Sequence, residues 1–197
     1  MRLLMGSKTV IGITGGIASG KSTVTNYLIT HGYDVVDADE IVHHAYEKES
    51  GCYKLIQEAF HSVNRHEIGQ IVFHDASKRQ LLESILHPYV YQVMEDHITK
   101  SSHQLVFLDV PLLFEAHFDK LCDKTICVYL DEDRQIERLM KRDHLSSDEA
   151  KNRIALQMPL AKKKAMATYT IDNSGYLEDL EGQILKILED VNKDGTL

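Results

Sequence analysis

Gly15-Gly16-Ile17-Ala18-Ser19-Gly20-Lys21-Ser22 fits the pattern G-x-x-x-x-G-K-[ST], with Gly15, Gly20, Lys21 and Ser22 at its fixed positions. Glycines at that spacing let successive backbone N–H groups wrap a phosphate. The lysine then reaches the outer phosphates, and the serine hydroxyl is suited to Mg²⁺. Gly15 to Thr23 are therefore the candidate nucleotide-binding residues. Thr9-Val10-Ile11-Gly12-Ile13-Thr14 before them is a short β-prone run. Ser22 to His31 after them places Val24, Tyr27 and Leu28 at helical spacing, with Gly32 as the stop. Strand, glycine loop and helix is the setting the motif needs.

A phosphate cradle needs carboxylates if it is to do phosphoryl transfer. Asp109 closes the apolar run Gln104-Leu105-Val106-Phe107-Leu108-Asp109, and an acid in that place helps hold Mg²⁺ in phosphate-loop proteins. Asp37 and Asp39 follow a second strand-like run, Tyr33-Asp34-Val35-Val36-Asp37. Two residues apart, they share a face if the strand continues. One would then accept a hydroxyl proton while the other steadies metal-bound water. An Asx turn leaving the strand is the competing use for one of them.

Charge on a migrating phosphoryl group also needs cations. Residues 134–164 hold nine basic and four acidic side chains, a local excess of five positive charges within a chain of net −8. The rest of the chain therefore carries thirteen negative charges. A positive segment in an acidic protein suits an anionic ligand such as a polyphosphate. Arg138, Lys141, Arg142, Arg153 and Lys163 are the candidates, and Arg138 and Arg142 are four apart on one predicted helix face. A lid built there would exclude water, so that ATP is not merely hydrolysed.

Other chemistries find less support. The eleven histidines, His43-His44 and His61/His66 among them, show no metal-ligand spacing and read as surface or packing residues. Cys52, Cys122 and Cys127 are sparse and read as buried thiols in a reducing cytoplasm. No G-x-S-x-G elbow is present. The net charge argues against nucleic-acid binding, and no apolar run approaches a membrane span. Met1-Arg2-Leu3-Leu4-Met5 is too short for a signal peptide.

Several elements must position these residues. Thr125 to Leu130 is another buried strand, and Tyr169 to Asp172 is the last one. Asp133 to Arg142 is an amphipathic helix, and Ser146 with Glu149 forms a capping box for a helix to about Gln157. Leu177 to Val191 is a C-terminal helix. Between Asp39 and Ser101 the pattern is mostly helical, with Pro88 expected to open a helix rather than interrupt one. Apolar strands alternating with helices predict a doubly wound α/β fold with a five-stranded parallel sheet. Ligands in such sheets sit at the carboxyl ends of the strands.

Together these segments resemble the dephospho-CoA kinase family over residues 9–190. The resemblance rests on the phosphate loop, on Val36-Asp37-Ala38-Asp39 and on Ile85-Leu86-His87-Pro88. Asp109-Val110-Pro111-Leu112-Leu113-Phe114-Glu115 is its most specific part. Arg138 to Arg142 with Arg153, Ile154 and Gln157, and Ile171-Asp172-Asn173-Ser174-Gly175, complete it. It implies a single kinase domain that phosphorylates the ribose 3′-hydroxyl of dephospho-CoA, the last step of coenzyme A biosynthesis, with ATP and Mg²⁺. The core would be 9–39, 104–134 and 165–197, the CoA-binding helical region 40–103, and the lid 135–164. Lys21, Asp39 and Arg142 would be catalytic, with Asp39 as base. Ser22, Asp109 and Asp37 would serve the metal. Asn173 would lie near the adenine, and Arg138 and Arg142 would hold phosphate. Asp39, His87, Pro88, Leu113, Arg153 and Lys163 would meet the substrate. A cytoplasmic monomer with a small-molecule substrate is expected. Ala18, His43 or His44, Tyr91 and Thr168 depart from the family's usual residues. A kinase for another nucleoside or nucleotide is the alternative, and "DVPLLFE" with "ILHP" is what separates the two. A GTPase switch lacks its N-K-x-D motif, since Asn192-Lys193-Asp194-Gly195 has the wrong order.

Overall fold

Five short strands form one sheet in the order β2-β3-β1-β4-β5. They are β1 (Thr9–Gly15), β2 (Asp34–Asp37), β3 (Leu105–Asp109), β4 (Lys124–Tyr129) and β5 (Tyr169–Asp172). The computed structural model describes residues 8–194. The reading of Met1 to Met5 and of the terminal Gly195 lies outside the described residues. β1 pairs in parallel with β3 (Ile11 opposite Phe107) and with β4 (Ile13 opposite Ile126). A parallel sheet needs crossovers, which the helices supply. In chain order these are α1 (Lys21–Thr30), α2 (Ala38–His44), α3 (Tyr53–Phe60), α4 (Arg65–His74) and α5 (Ala76–Lys100). A 3₁₀ turn at Phe118–Leu121 follows, then α6 (Glu132–Asp143), α7 (Ser147–Ala155), α8 (Leu160–Met166) and α9 (Leu177–Asp194). The α/β class and the five strands match the sequence expectation. No helix among the described residues is long and apolar enough to cross a membrane.

The chain divides into two compact units, one of residues up to Val36 and from Ser101 onward, the other Asp37–Lys100. In the first unit Ile11, Ile13, Phe107, Ile126, Val128 and Ile171 of the sheet pack with Val24 and Leu28 of α1 and with Leu180, Ile184 and Leu188 of α9. Each such side chain contributes about 1.5–3 kcal/mol on burial, so this cluster anchors the strands that carry the glycine loop and Asp109. A separate cluster joins Ile136, Leu139 and Ala150 of α6 and α7 to Ile17 and Ala18 of the glycine loop. In the second unit Ile56 and Phe60 of α3, Ile68 of α4 and Leu86 of α5 form their own core.

Pro88 corrects one expectation. It lies inside α5, not at a helix start. Its missing N–H leaves the Ser84 carbonyl without an i+4 donor, a defect of about 3 kcal/mol in an isolated helix. Leu86, Val90, Met94 and Ile98 are buried at four-residue intervals on both sides of it. That continuous row holds the helix together through the proline.

Candidate active site

The glycine loop is held open by contacts that leave no room for larger residues. A Cβ on Gly15 would stand 2.5 Å from Ser19 Oγ and 2.8 Å from the Val128 carbonyl of β4. Thr14 is fully buried and its hydroxyl donates to Pro111 O at 2.9 Å, which ties β1 to the segment after β3. Within the loop Ser19 N–H donates to Gly16 O at 3.0 Å, and Thr23 N–H to Gly20 O at 2.9 Å. Gly20 takes φ 91° as the N-cap of α1. That left-handed turn is cheap only for glycine. It aims the first-turn N–H groups of α1, which have no acceptors within the helix, toward the loop's concave side, an anion-binding arrangement.

Ala18 also has positive φ, at 60°. The departure from glycine noted in the sequence thus falls on a position where glycine is favoured. Its methyl packs with Ile136, Leu139 and Ala150, so the side chain has a use that offsets part of the strain.

Lys21 opens α1, and its ammonium donates to Asp109 Oδ1. Asp109 is 4% exposed at the end of β3, so its charge is balanced by this lysine in a poorly solvated place. Ser22, next in α1, is exposed. The sequence reading gave Lys21 and Asp109 separate tasks; the fold brings them together.

Asp37 and Asp39 do not share a strand face. The strand stops at Asp37, which becomes the N-cap of α2, with Oδ1 accepting the Asp39 N–H at 2.7 Å. Asp39 is exposed in the first turn of that helix. The Asx turn prevails because an N-cap carboxylate satisfies an otherwise unpaired helix donor.

The basic segment is partly committed to local partners. Arg142 and Arg153 both pair with Asp143, at 2.8 Å each. Those hydrogen bonds and charges hold the Asp143 carboxyl below its ordinary range. Arg138 donates to Asn173 O at 3.4 Å, and Asn173 Nδ2 donates to Ser19 O at 2.8 Å. Arg138 and Asn173 are therefore beside the glycine loop, while Arg142 reaches toward Asp143.

Two residues expected to meet the substrate lie in the core. Leu113 is wholly buried, and its methyl groups pack over Gly12 of β1. Lys163 is also wholly buried; its ammonium donates to Pro111 O at 2.7 Å and pairs with Glu115 at 2.8 Å. Helical geometry turns Lys163 inward from α8 while Lys162 and Lys164 stay exposed. In the second unit, His87 is half-buried and Pro88 exposed in α5. Burial lowers the His87 pKa, and nearby Glu83 raises it by less.

Gln135 was not found by sequence reasoning. It is 2% exposed; Nε2 donates to Leu130 O at 2.8 Å, and Oε1 lies against Gly16 with no partner among the described residues. The available signal was a polar residue next to Ile136 on the apolar face of α6. The Thr168 departure is accounted for: Thr168 and Thr125 exchange two hydrogen bonds, backbone N–H to side-chain oxygen, at 3.0 Å each.

A family model described as dephospho-CoA kinase matches residues 9–179. A dephospho-CoA kinase of Bacillus licheniformis is 43% identical over 191 residues, covering 91% of this chain and 95% of the relative. One of Arabidopsis thaliana is 40% identical over 195 residues, covering 93% and 84%. Among solved structures, dephospho-CoA kinase from Campylobacter jejuni superposes with a TM-score of 0.70 at 26% identity, covering 96% of this chain and all of that one. TT1252 from Thermus thermophilus reaches 0.82 at 33% identity, covering 93% and 97%. A shikimate kinase from Bacteroides thetaiotaomicron, at 18% identity and a TM-score of 0.51, shares the fold. With resemblance of that breadth in sequence and in backbone, the chain belongs to the dephospho-CoA kinase family.

Proposed function

We propose that this chain transfers the γ-phosphoryl group of ATP to the ribose 3′-hydroxyl of dephospho-CoA, giving coenzyme A. The observation that carries the reading is the glycine loop with Lys21 against the buried Asp109, in a chain of this family. The loop amides and the first turn of α1 would receive the phosphates. Lys21 would exchange Asp109 for the outer phosphate oxygens, a swap of one anion for another that leaves its charge balanced. Arg138 and Asn173 are beside the loop for the donor nucleotide. Arg142, with Arg153, would meet charge on the transferred group once turned from Asp143.

The oxygen donors here suit Mg²⁺: the exposed Ser22 hydroxyl on α1 and the Asp109 carboxylate, neither of them a soft ligand. Asp37 would add the carboxylate oxygen that does not cap α2. The bound metal would neutralise charge on the phosphate oxygens. Asp39, exposed in the first turn of α2, is the base that takes the 3′-hydroxyl proton, by its place in the D-A-D segment. His87 and Pro88 lie in the helical unit assigned to the CoA portion of the acceptor. Three cysteines that form no disulfide suit a reducing cytoplasm, and a monomer is the expected form.

A coupled assay tests the reading. Purified protein, ATP and Mg²⁺ are offered dephospho-CoA, adenosine and AMP in parallel. Product from dephospho-CoA with little from the others is expected; turnover of adenosine or AMP alone would overturn it.

A further inference from the structure

Lys163 is a wholly buried cation inside a segment otherwise rich in exposed ones. Its three N–H donors face three acceptors: Pro111 O at 2.7 Å, Glu115 Oε1 at 2.8 Å and Gly15 O at 3.5 Å. Gly15 is the first glycine of the phosphate loop. Glu115 Oε1 also accepts the Met158 N–H at 3.0 Å. Gln157 Oε1 accepts the Ile17 N–H of the loop at 3.1 Å. Pro111 O is shared with the Thr14 hydroxyl of β1. Residues 157–163 are thus tied to both sides of the phosphate loop's base. The ties run through one ion pair and four backbone groups, all inside the first unit.

We infer that the Lys163–Glu115 pair is a latch that positions the phosphate loop relative to the lid segment ahead of it. Lys163 and Glu115 are positioning residues: they act through Gly15, Pro111 and Met158 rather than on substrate. A buried ion pair is a poor source of stability by itself, because desolvation consumes much of the attraction. It can be a source of specificity, since Glu115 Oε1 meets both the Lys163 ammonium and the Met158 N–H in this arrangement alone. Here that arrangement fixes where the chain re-enters the core after α7, and with it the seat of α6 and α7 against Ile17 and Ala18 of the loop.

The inference rests on the kinase reading, and the test separates the two. Lys163→Met, Glu115→Gln and the double variant are compared with wild type. The measurements are steady-state kinetics with dephospho-CoA and ATP, and proteolysis of residues 140–160 with and without a non-hydrolysable ATP analogue. Each single variant should lose about tenfold or more in kcat, with KM for dephospho-CoA within about twofold of wild type, as expected for lost positioning. The analogue should protect the lid of wild type and fail to protect that of the variants. The double variant should be no worse than the worse single, because the pair is lost once. A direct substrate contact would instead raise KM in Lys163→Met and leave Glu115→Gln normal. A merely structural pair would lower the melting temperature and leave kcat and protection intact. Either result overturns the inference. If Lys163→Met does not fold, Glu115→Gln, which keeps the shape and removes only the charge, decides. If wild type itself fails with dephospho-CoA, the acceptor reading falls, and the protection experiment still decides the latch.

Discussion

Gly20→Ala tests whether the loop's shape is held by backbone and neighbours rather than by any ligand. Gly20 is at φ 91°, and a Cβ there would collide with Asn173 Nδ2 and stand 3.4 Å from Arg138 Nη1. An alanine in the left-handed region costs about 1–2 kcal/mol. Asn173 must also swing away and give up its bond to Ser19 O, a further cost of about 0.5–1.5 kcal/mol. The total is about 1.5–3.5 kcal/mol. For a chain of this size each kcal/mol moves the melting temperature by about 2–4 °C, so Gly20→Ala should melt about 3–14 °C lower. Asn173→Ala alone should cost only the hydrogen-bond share. It also removes the obstacle, so Gly20→Ala on that background should cost only the strain. The two substitutions should therefore couple by about 1 kcal/mol. Thermal melts and urea titrations of the four proteins measure this. A Gly20→Ala melting point within about 1 °C of wild type, or strict additivity of the pair, would refute the reasoning. Affinity for an ATP analogue should fall with stability, because the strained turn also aims the first N–H groups of α1.

Three further outcomes follow from particular groups. Asp39→Asn should lower kcat by roughly 100-fold or more while ATP still binds, since an amide cannot accept the hydroxyl proton; near-normal turnover would remove Asp39 from the base role. Burial lowers the His87 pKa below its usual 6.5, so the unfolded chain binds more protons, and this part of the stability is present above 6.5 and lost as pH falls through the folded value. His87→Gln should therefore lose less melting temperature than wild type between about pH 7.5 and 5.5, and parallel profiles would count against the assignment. Burial pushes the Cys122 thiol up to about 12 and the Cys127 thiol up to about 11, and raises that of Cys52. A thiol reagent at pH 8 should label all three only after urea unfolding, and fast labelling of the native protein would contradict their burial.

The phosphate loop was legible because its chemistry is local. Glycine spacing, a lysine and a hydroxyl suffice, and the neighbouring residues dictate strand before and helix after. The same holds for the capping box at Ser146 and Glu149, whose reciprocal bonds form as read. Pro88 was misread because a local rule, that proline starts helices, lost to a long row of buried residues in α5. Whether Asp37 stayed on a continuing strand or turned was open in the sequence, and helix capping decided it for the turn. Lys163 was taken for a free cation because composition counts charge without regard to side. Gln135 stayed hidden because its place beside Ile136 on the apolar face of α6 marks a buried polar group but not the glycine it lies against.

By itself the sequence determined the class of fold, the phosphate-binding loop and the family. Periodicity and short motifs depend on contacts within a few residues, and those survive in one dimension. Only the tertiary structure decided which charges are spent. Lys21 meets Asp109, and Lys163 meets Glu115 and Pro111, across 88, 48 and 52 residues of chain. Arg142 turns to the neighbouring Asp143 rather than to the loop. Such pairings depend on which strands adjoin and which side of a helix is buried. Their energy comes from desolvation and distance, which a linear order does not contain.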